Sequence, residues 1–366
     1  MQDKKYKIAL VGYRLSGGGL EKVMSSLSIY FDIINIEVHV ILLEDFITYS
    51  YGGKLVNIGT MHFSNTKFFA KWKSLIYLKK YISENDFDQI IDFRYRLKPL
   101  KELIYSFFVF NSKTIYTIHS SKLATYLPNN IFVTKLITRK KTLVCVSNEI
   151  KELIKQKHNL STKTIYNPID LSHISKKAIE NNAFDFEYII AIGKYDAKNV
   201  KQFDKLIASY SKSILPKNKI KLILLGVGEN NSELKMIANQ LKVEEEIIFL
   251  DFDENPYKYL TNAKFLVLCS KYEGFPMSII EALACNTPVI SFNCVSGPKE
   301  IIIDRENGLL VENQNFEKLT LAMNEFISDQ KLYNYCKKNS LESVSKFSIE
   351  KIGQEWLDLM KIDINS

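Results

Sequence analysis

The stretch from Lys271 to Ser291 reads K-Y-E-G-F-P-M-S-I-I-E-A-L-A-C-N-T-P-V-I-S, and its reading decides the fold. Just before it, Phe265-Leu266-Val267-Leu268-Cys269 is an apolar run of buried-strand length. Glu273 and Gly274 form a turn, and Pro276 stands where a first helical residue is favoured. Ile279, Ile280, Leu283 and Ala284 then share one helix face. Asn286 stops that helix, and Pro288-Val289-Ile290 opens the next strand. Strand, sharp turn, helix and strand make a βαβ unit, which belongs to a parallel sheet. Glu273 falls in the loop at the first strand's carboxyl end, and Glu281 in the second turn of the helix. Between them the amides of Phe275, Pro276, Met277 and Ser278 open the helix, where backbone N–H groups lack intrahelical partners and suit an anion. Two carboxylates flanking such a helix end fit a ligand with hydroxyl groups on both sides of a phosphate, the layout of a nucleoside-diphosphate sugar.

A second βα series surrounds this unit. Strands are expected at 188–192, 220–225, 247–250, 265–269 and 288–291. An earlier series has strands at 6–11, 37–43, 89–92, 114–118 and 142–146, with helical segments between them. The first strand, Y-K-I-A-L-V, runs into a glycine-rich loop, Gly12 to Gly19, before a helix that opens at Glu21. That opening marks a Rossmann-like layer with a phosphate nearby. It does not satisfy G-x-G-x-x-G, because Lys22 stands three residues after Gly19, which argues against a dehydrogenase. Residues 166–186 contain proline and small polar residues with little periodicity, and read as the interdomain linker. The expected domains are 1–168, 169–345, and a terminal helix, 346–366, returning to the first domain.

Composition bounds the class. With 46% hydrophobic and 25% charged residues, the chain of 366 residues has material for two ordinary globular cores. Five cysteines, an odd number without a C-x-x-C pair, read as reduced core residues of a cytoplasmic protein. The start M-Q-D-K-K-Y-K reads directly into a strand without a secretory leader. The longest apolar run, Leu103 to Phe110, is too short to span a bilayer.

Charge is unevenly spread. Residues 1–168 carry 25 Lys and Arg against 13 Asp and Glu, whereas the remainder carries 24 against 28. Residues 46–83 and 103–148 contain no acid. The anionic partner therefore belongs to the first half. A helix over 66–82 combines Lys67, Lys71, Lys73, Lys79 and Lys80 with Phe68, Phe69, Trp72, Tyr77 and Tyr81. That mixture fits an anionic membrane surface, or an amphipathic helix whose aromatics face the core. Lys135 and Arg139-Lys140-Lys141 add to the same charge. No nucleic-acid-binding module accompanies these residues.

Six elements in order resemble the family 4 retaining glycosyltransferases. They are G-G-L-E at 18–21, Y-N-P-I-D at 166–170, I-G-K-Y at 192–195, L-L-G-V-G-E at 224–229, E-G-F-P-M-S-I-I-E-A-L at 273–283, and N-G-L-L-V at 307–311. The resemblance implies the α/β GT-B fold, two Rossmann-like βαβ domains facing each other across a cleft. It implies that Glu273 contacts the donor sugar and Glu281 the ribose, with Gly274 and the amides after it around the diphosphate. Gly18 and Gly19 would close over the diphosphate from the first domain, and His119 would lie near the transferred sugar. Lys194 takes the place of the family's arginine, which keeps the charge and loses the bidentate fork. Either Lys198 or Lys201 supplies the second cation, and the helix that follows favours Lys201. Asp251 and Asp253 are read as the nucleobase loop and not as a metal pair; no metal or other cofactor is expected. The implied reaction transfers a sugar, with retention, from a nucleotide donor (UDP favoured over GDP) to a glycan or lipid-linked glycan in bacterial surface polysaccharide assembly. The alternatives are a nucleotide-sugar epimerase and a non-catalytic nucleotide-sugar-binding subunit.

Overall fold

A computed structural model describes residues 6–61, 67–180, 184–195, 198–226, 228 and 231–363, the side chains of 67 and 68 excepted. The chain divides into two compact units, Met1–Pro168 with Ile349–Ser366, and Ile169–Ser348.

The first unit is built on a seven-stranded parallel sheet. Its strands are β1 (Lys7–Gly12), β2 (Glu37–Leu42), β3 (Lys54–Asn57), β4 (Gln89–Asp92), β5 (Thr114–Ile118), β6 (Thr142–Cys145) and β7 (Lys163–Thr164), in the order β3-β2-β1-β4-β5-β6-β7. Ile8 is opposite Val38 on one side and Gln89 on the other. The chain therefore reverses its direction of travel at β1, and the switch point lies at the carboxyl ends of β1 and β4, whose connections leave toward opposite edges of the sheet. The helix Gly19–Ile33 begins two residues before Glu21, with Gly18 as its N-cap. The terminal helix Ile349–Met360 buries Ile352, Trp356, Leu357 and Met360 and packs on that first helix, with Gly353 against the Tyr30 ring.

The second unit has six parallel strands. They are β8 (Tyr188–Ile192), β9 (Lys221–Leu225), β10 (Ile247–Leu250), β11 (Leu266–Leu268), β12 (Val289–Phe292) and β13 (Gly308–Val311), in the order β10-β9-β8-β11-β12-β13. Here the order reverses at β8, so the crevice lies beyond Ile192 and Leu268. The chain crosses between the units at 168–169, inside the 166–186 stretch read as the linker. A helix, Leu171–Ala178, lies within it, capped by Asp170, which accepts from the His173 amide at 2.8 Å. Its core contact is Ile174 alone, too little to produce a visible period. The second unit also extends past 345: Ile169 N–H donates to the Phe347 carbonyl at 2.8 Å, and Ile169 bridges Ser348.

A buried ionic cluster ties the first sheet to its helices. Asp92 closes β4, and Arg94 grips it through Nε at 2.9 Å and Nη2 at 3.2 Å. Arg94 Nη2 also reaches Glu102 Oε2 at 3.2 Å, and Arg96 Nη1 reaches Asp92 Oδ2 at 3.3 Å. Arg96 further donates to the carbonyls of Tyr126 at 3.0 Å and Thr117 at 2.7 Å. Two cations and two anions leave the cluster neutral. Burial opposes the Arg94 charge, yet Asp92 and Glu102 hold its guanidinium protonated, well above its ordinary pKa. Removing one partner strands the others in the core. Arg94→Met is expected to lower unfolding free energy by about 3–5 kcal/mol, measured by urea denaturation.

Candidate functional site

Several contacts bring two of the expected residues together at the second unit's crevice. Lys271 N–H donates to the Val200 carbonyl at 2.9 Å, so the segment leaving β11 runs beside the loop before the helix Phe203–Lys212. The Cys269 thiol, pushed up to about 12 by burial, donates to the Lys201 carbonyl at 3.2 Å. Gly193, directly after β8, leaves room for the lysine stem: a Cβ there would lie 2.8 Å from Lys201 Cγ and Cε. Lys201 Nζ thus reaches Glu273 Oε1 at 2.7 Å, both side chains being about four-fifths covered. Lys194, Tyr195, Asn199 and Lys201 line one cleft together with Asp204 and Glu233. Lys198 is not among its lining residues, and Asp196 and Ala197 lie outside the described residues.

The Glu273 loop is fixed from its other side. Glu273 N–H donates to the Val295 carbonyl at 3.1 Å, and Ser296 Oγ donates to the Gly274 carbonyl at 2.6 Å. Gly297, at φ +102°, passes so close to Pro276 that a Cβ would lie 2.5 Å from its Cδ. The helix runs Met277–Ala284 with Pro276 as N-cap, so it starts one position later than the sequence suggested. Pro276 has no N–H, so the amides that open the helix are those of Met277 and Ser278. Phe275 contributes its backbone there, while its ring packs on Phe347 at 5.2 Å. Glu281 is buried in the second turn, and Asn286, at φ +56°, ends the helix in a left-handed conformation.

Asp253 is engaged within its own loop, pairing with Lys258 Nζ at 2.7 Å and accepting from Tyr259 OH at 3.1 Å. Among the described residues no three His, Cys, Asp or Glu side chains group as metal ligands.

The other expected residues lie in the first unit. Gly18 caps the first helix, Gly19 begins it, and the buried Glu21 carboxylate folds back beside Gly18. Glu21 is bonded to Tyr95, whose ring lies 5.7 Å from that of Tyr126. Tyr126 in turn is 6.5 Å from His119, which follows β5 in the interior of the sheet. Burial, with Arg96 nearby, lowers the His119 pKa to about 3, although Asn167 favours its charged form. The imidazole is therefore neutral near pH 7, able to accept or donate one hydrogen bond without carrying charge.

Sequence reasoning missed three supports of this arrangement. Cys269 was read only as core, and neither Ser296 nor Gly297 carried a signal, because their role depends on two loops meeting. The Asp92–Arg94–Arg96–Glu102 cluster was also unread.

Comparisons with known proteins bear on the fold. The family model Glycosyl transferases group 1 matches residues 174–343, nearly all of the second unit. A Campylobacter jejuni protein, N-acetylgalactosamine-N,N'-diacetylbacillosaminyl-diphospho-undecaprenol 4-alpha-N-acetylgalactosaminyltransferase, is 28% identical over 96% of this chain and 98% of its own length. The two α/β units have the GT-B fold. Among solved structures, a glycosyltransferase from Rickettsia africae superimposes with a TM-score of 0.77 at 17% identity, covering 98% of each chain. Anabaena HepE in complex with UDP-glucose gives a TM-score of 0.75 at 18% identity, covering 97% of this chain and 99% of HepE.

A His119 held neutral by burial makes stability depend on pH with a defined sign. The unfolded histidine protonates near pH 6.5 and the folded one near 3, so stability is lost as pH falls through that window. Between pH 7 and pH 5 the loss from this group is about 2 kcal/mol. Urea denaturation of wild type and His119→Asn at both pH values is expected to show a shallower pH dependence in the variant.

Proposed function

We propose that the protein is a retaining glycosyltransferase that uses a UDP-sugar and elongates a glycan or lipid-linked glycan in bacterial surface polysaccharide assembly. The observation that carries the proposal is the Lys201–Glu273 pair, set at the second crevice on the segment leading to the amides of Met277 and Ser278 and to the buried Glu281. A diphosphate placed at that helix end meets N–H groups and the cations Lys201 and Lys194. Glu273 then takes the sugar hydroxyls, and Glu281 the ribose. The similarity to a C. jejuni transferase named for a diphospho-undecaprenol acceptor supports the lipid-linked class. The HepE complex with UDP-glucose supports the uridine nucleotide.

The reaction follows from the charges. The bond between the anomeric carbon and the diphosphate oxygen breaks, and the leaving diphosphate keeps the electron pair. An acceptor hydroxyl forms the new bond on the same face and passes its proton to that phosphate oxygen, giving retention. Lys194, Lys201 and the two amides stabilise the developing phosphate charge, so the residues themselves supply the role a metal ion would have. The acceptor places the enzyme at the inner face of the cytoplasmic membrane. Its basic first unit supports this: Lys71, Trp72, Lys73, Lys79 and Lys80 of the helix Lys67–Asn85 are exposed, while Tyr81 turns inward to bond His39 at 2.8 Å. Among the described residues no helix is long and apolar enough to cross a membrane.

Glu281→Ala is expected to weaken UDP binding by about 1.5–3 kcal/mol, roughly ten- to a hundredfold in Kd, read by calorimetric titration. Unchanged affinity would remove Glu281 from the site. Incubation with an α-linked UDP-sugar and a lipid-linked acceptor should give an α-linked product by NMR, and a β-linked product would exclude retention. Rearranged donor formed without acceptor would instead favour the epimerase.

A further inference from the structure

One face of the first unit takes no part in the crevices. The helix Pro99–Ile104 continues into a wider π-helical turn, Tyr105–Val109, a distortion common at functional positions. Its inner side is fixed to the ionic cluster. The Tyr105 and Phe110 rings lie 4.0 and 5.0 Å from the Arg94 guanidinium, and Ser106 Oγ donates to the Ile137 carbonyl at 2.6 Å. Its outer side exposes Leu100, Phe107 and Phe108, spaced so that they share one side of the helix. Phe107 is 56% and Phe108 61% exposed, an uncommon state for a rigidly held pair of phenylalanines.

Two neighbouring helices continue this character. The helix Ile131–Thr138 packs on the wide turn and exposes Phe132 and Lys135, with Arg139 following on the same face. The helix Lys67–Asn85 also packs on that turn and exposes Trp72 and Ile76. Among the described residues seven Phe and Trp side chains are exposed, and five of them lie on these three segments, so the patch is not scatter.

Charge selects the partner. From residue 103 to 148 there is no carboxylate, and Glu102 just before it is buried against Arg94. Exposed aromatics among cations, with the 67–85 helix carrying its one acid, Glu84, near its end beside Lys80, fit the headgroup layer of an anionic bilayer, where ring and phosphate are met together. We propose that Phe107 and Phe108 form a wedge that enters the headgroup layer of an anionic phospholipid membrane, with Lys135 and Arg139 pairing with lipid phosphates. This rests on the membrane-held acceptor proposed above and extends its docking surface beyond the 67–85 helix. The wedge is presented rigidly, because the turn that carries it is anchored through Tyr105 and Phe110 to buried Arg94.

The test is flotation of the full chain with phosphatidylcholine vesicles, with and without phosphatidylglycerol, and without nucleotide. F107S/F108S is expected to lower partitioning onto the anionic vesicles roughly tenfold, while UDP affinity and the melting temperature stay at wild-type values. K135Q/R139Q should reduce the preference for phosphatidylglycerol. In F107W carrying W72F, brominated lipid should quench the new emission, the buried Trp356 serving as background. Wild-type flotation together with unchanged F107S/F108S flotation, or an unquenched F107W signal, would overturn the wedge alone. Failure of wild type to float at all would overturn the membrane reading with it. Loss of UDP binding in wild type would overturn the donor assignment and leave the wedge untouched.

Discussion

A lysine ammonium and a glutamate carboxylate 2.7 Å apart, at the point where the second sheet reverses its strand order, set the conditions for the rest of the protein. Holding them there requires β8 and β11 to be neighbours, a glycine after β8 to admit the lysine stem, and a buried thiol to hold the lysine's carbonyl. It also requires the 295–297 segment to brace the glutamate loop from behind. The pair neutralises itself, so an anion entering the crevice competes with Glu273 for Lys201. In the proposed complex, donor hydroxyls offered to Glu273 replace what the carboxylate loses. A ligand with both a diphosphate and a sugar satisfies both partners, whereas a bare phosphate satisfies only one.

The first unit carries a comparable constraint of a different kind. Its ionic cluster sits beneath the carboxyl ends of β4 and β5, fully buried and internally balanced. Such clusters stabilise little over apolar packing, yet they are costly to break, and so they favour one arrangement of the surrounding chain. Here that arrangement includes His119, which is held neutral, and the wide turn at 105–109. The donor contact expected of His119 and the proposed surface attachment thus share one anchor.

Much of this was legible in the sequence because it is local. The β8, β10 and β4 strands are apolar runs bounded by turns, and the 271–291 unit carries its own start and stop residues. β3 and β7 were missed because K-L-V-N is short and half polar, and two residues make no pattern at all. β13 was read as a motif, G-L-L-V, without being seen as a sixth strand. The helix 171–178 was hidden by its single buried contact. What sequence could not show is pairing at long range. Lys201 and Glu273 are 72 positions apart, and nothing in either segment marks Cys269 or Ser296 as their supports. The helix N-terminus was placed one residue early, since proline serves both as N-cap and as first helical residue.

The most direct measurement is a crystal structure with UDP bound. The account predicts diphosphate oxygens within hydrogen-bond reach of Lys201 Nζ and the amides of Met277 and Ser278, with the ribose hydroxyls on Glu281. A diphosphate bound elsewhere, with the Lys201–Glu273 pair intact and Glu281 untouched, would contradict it.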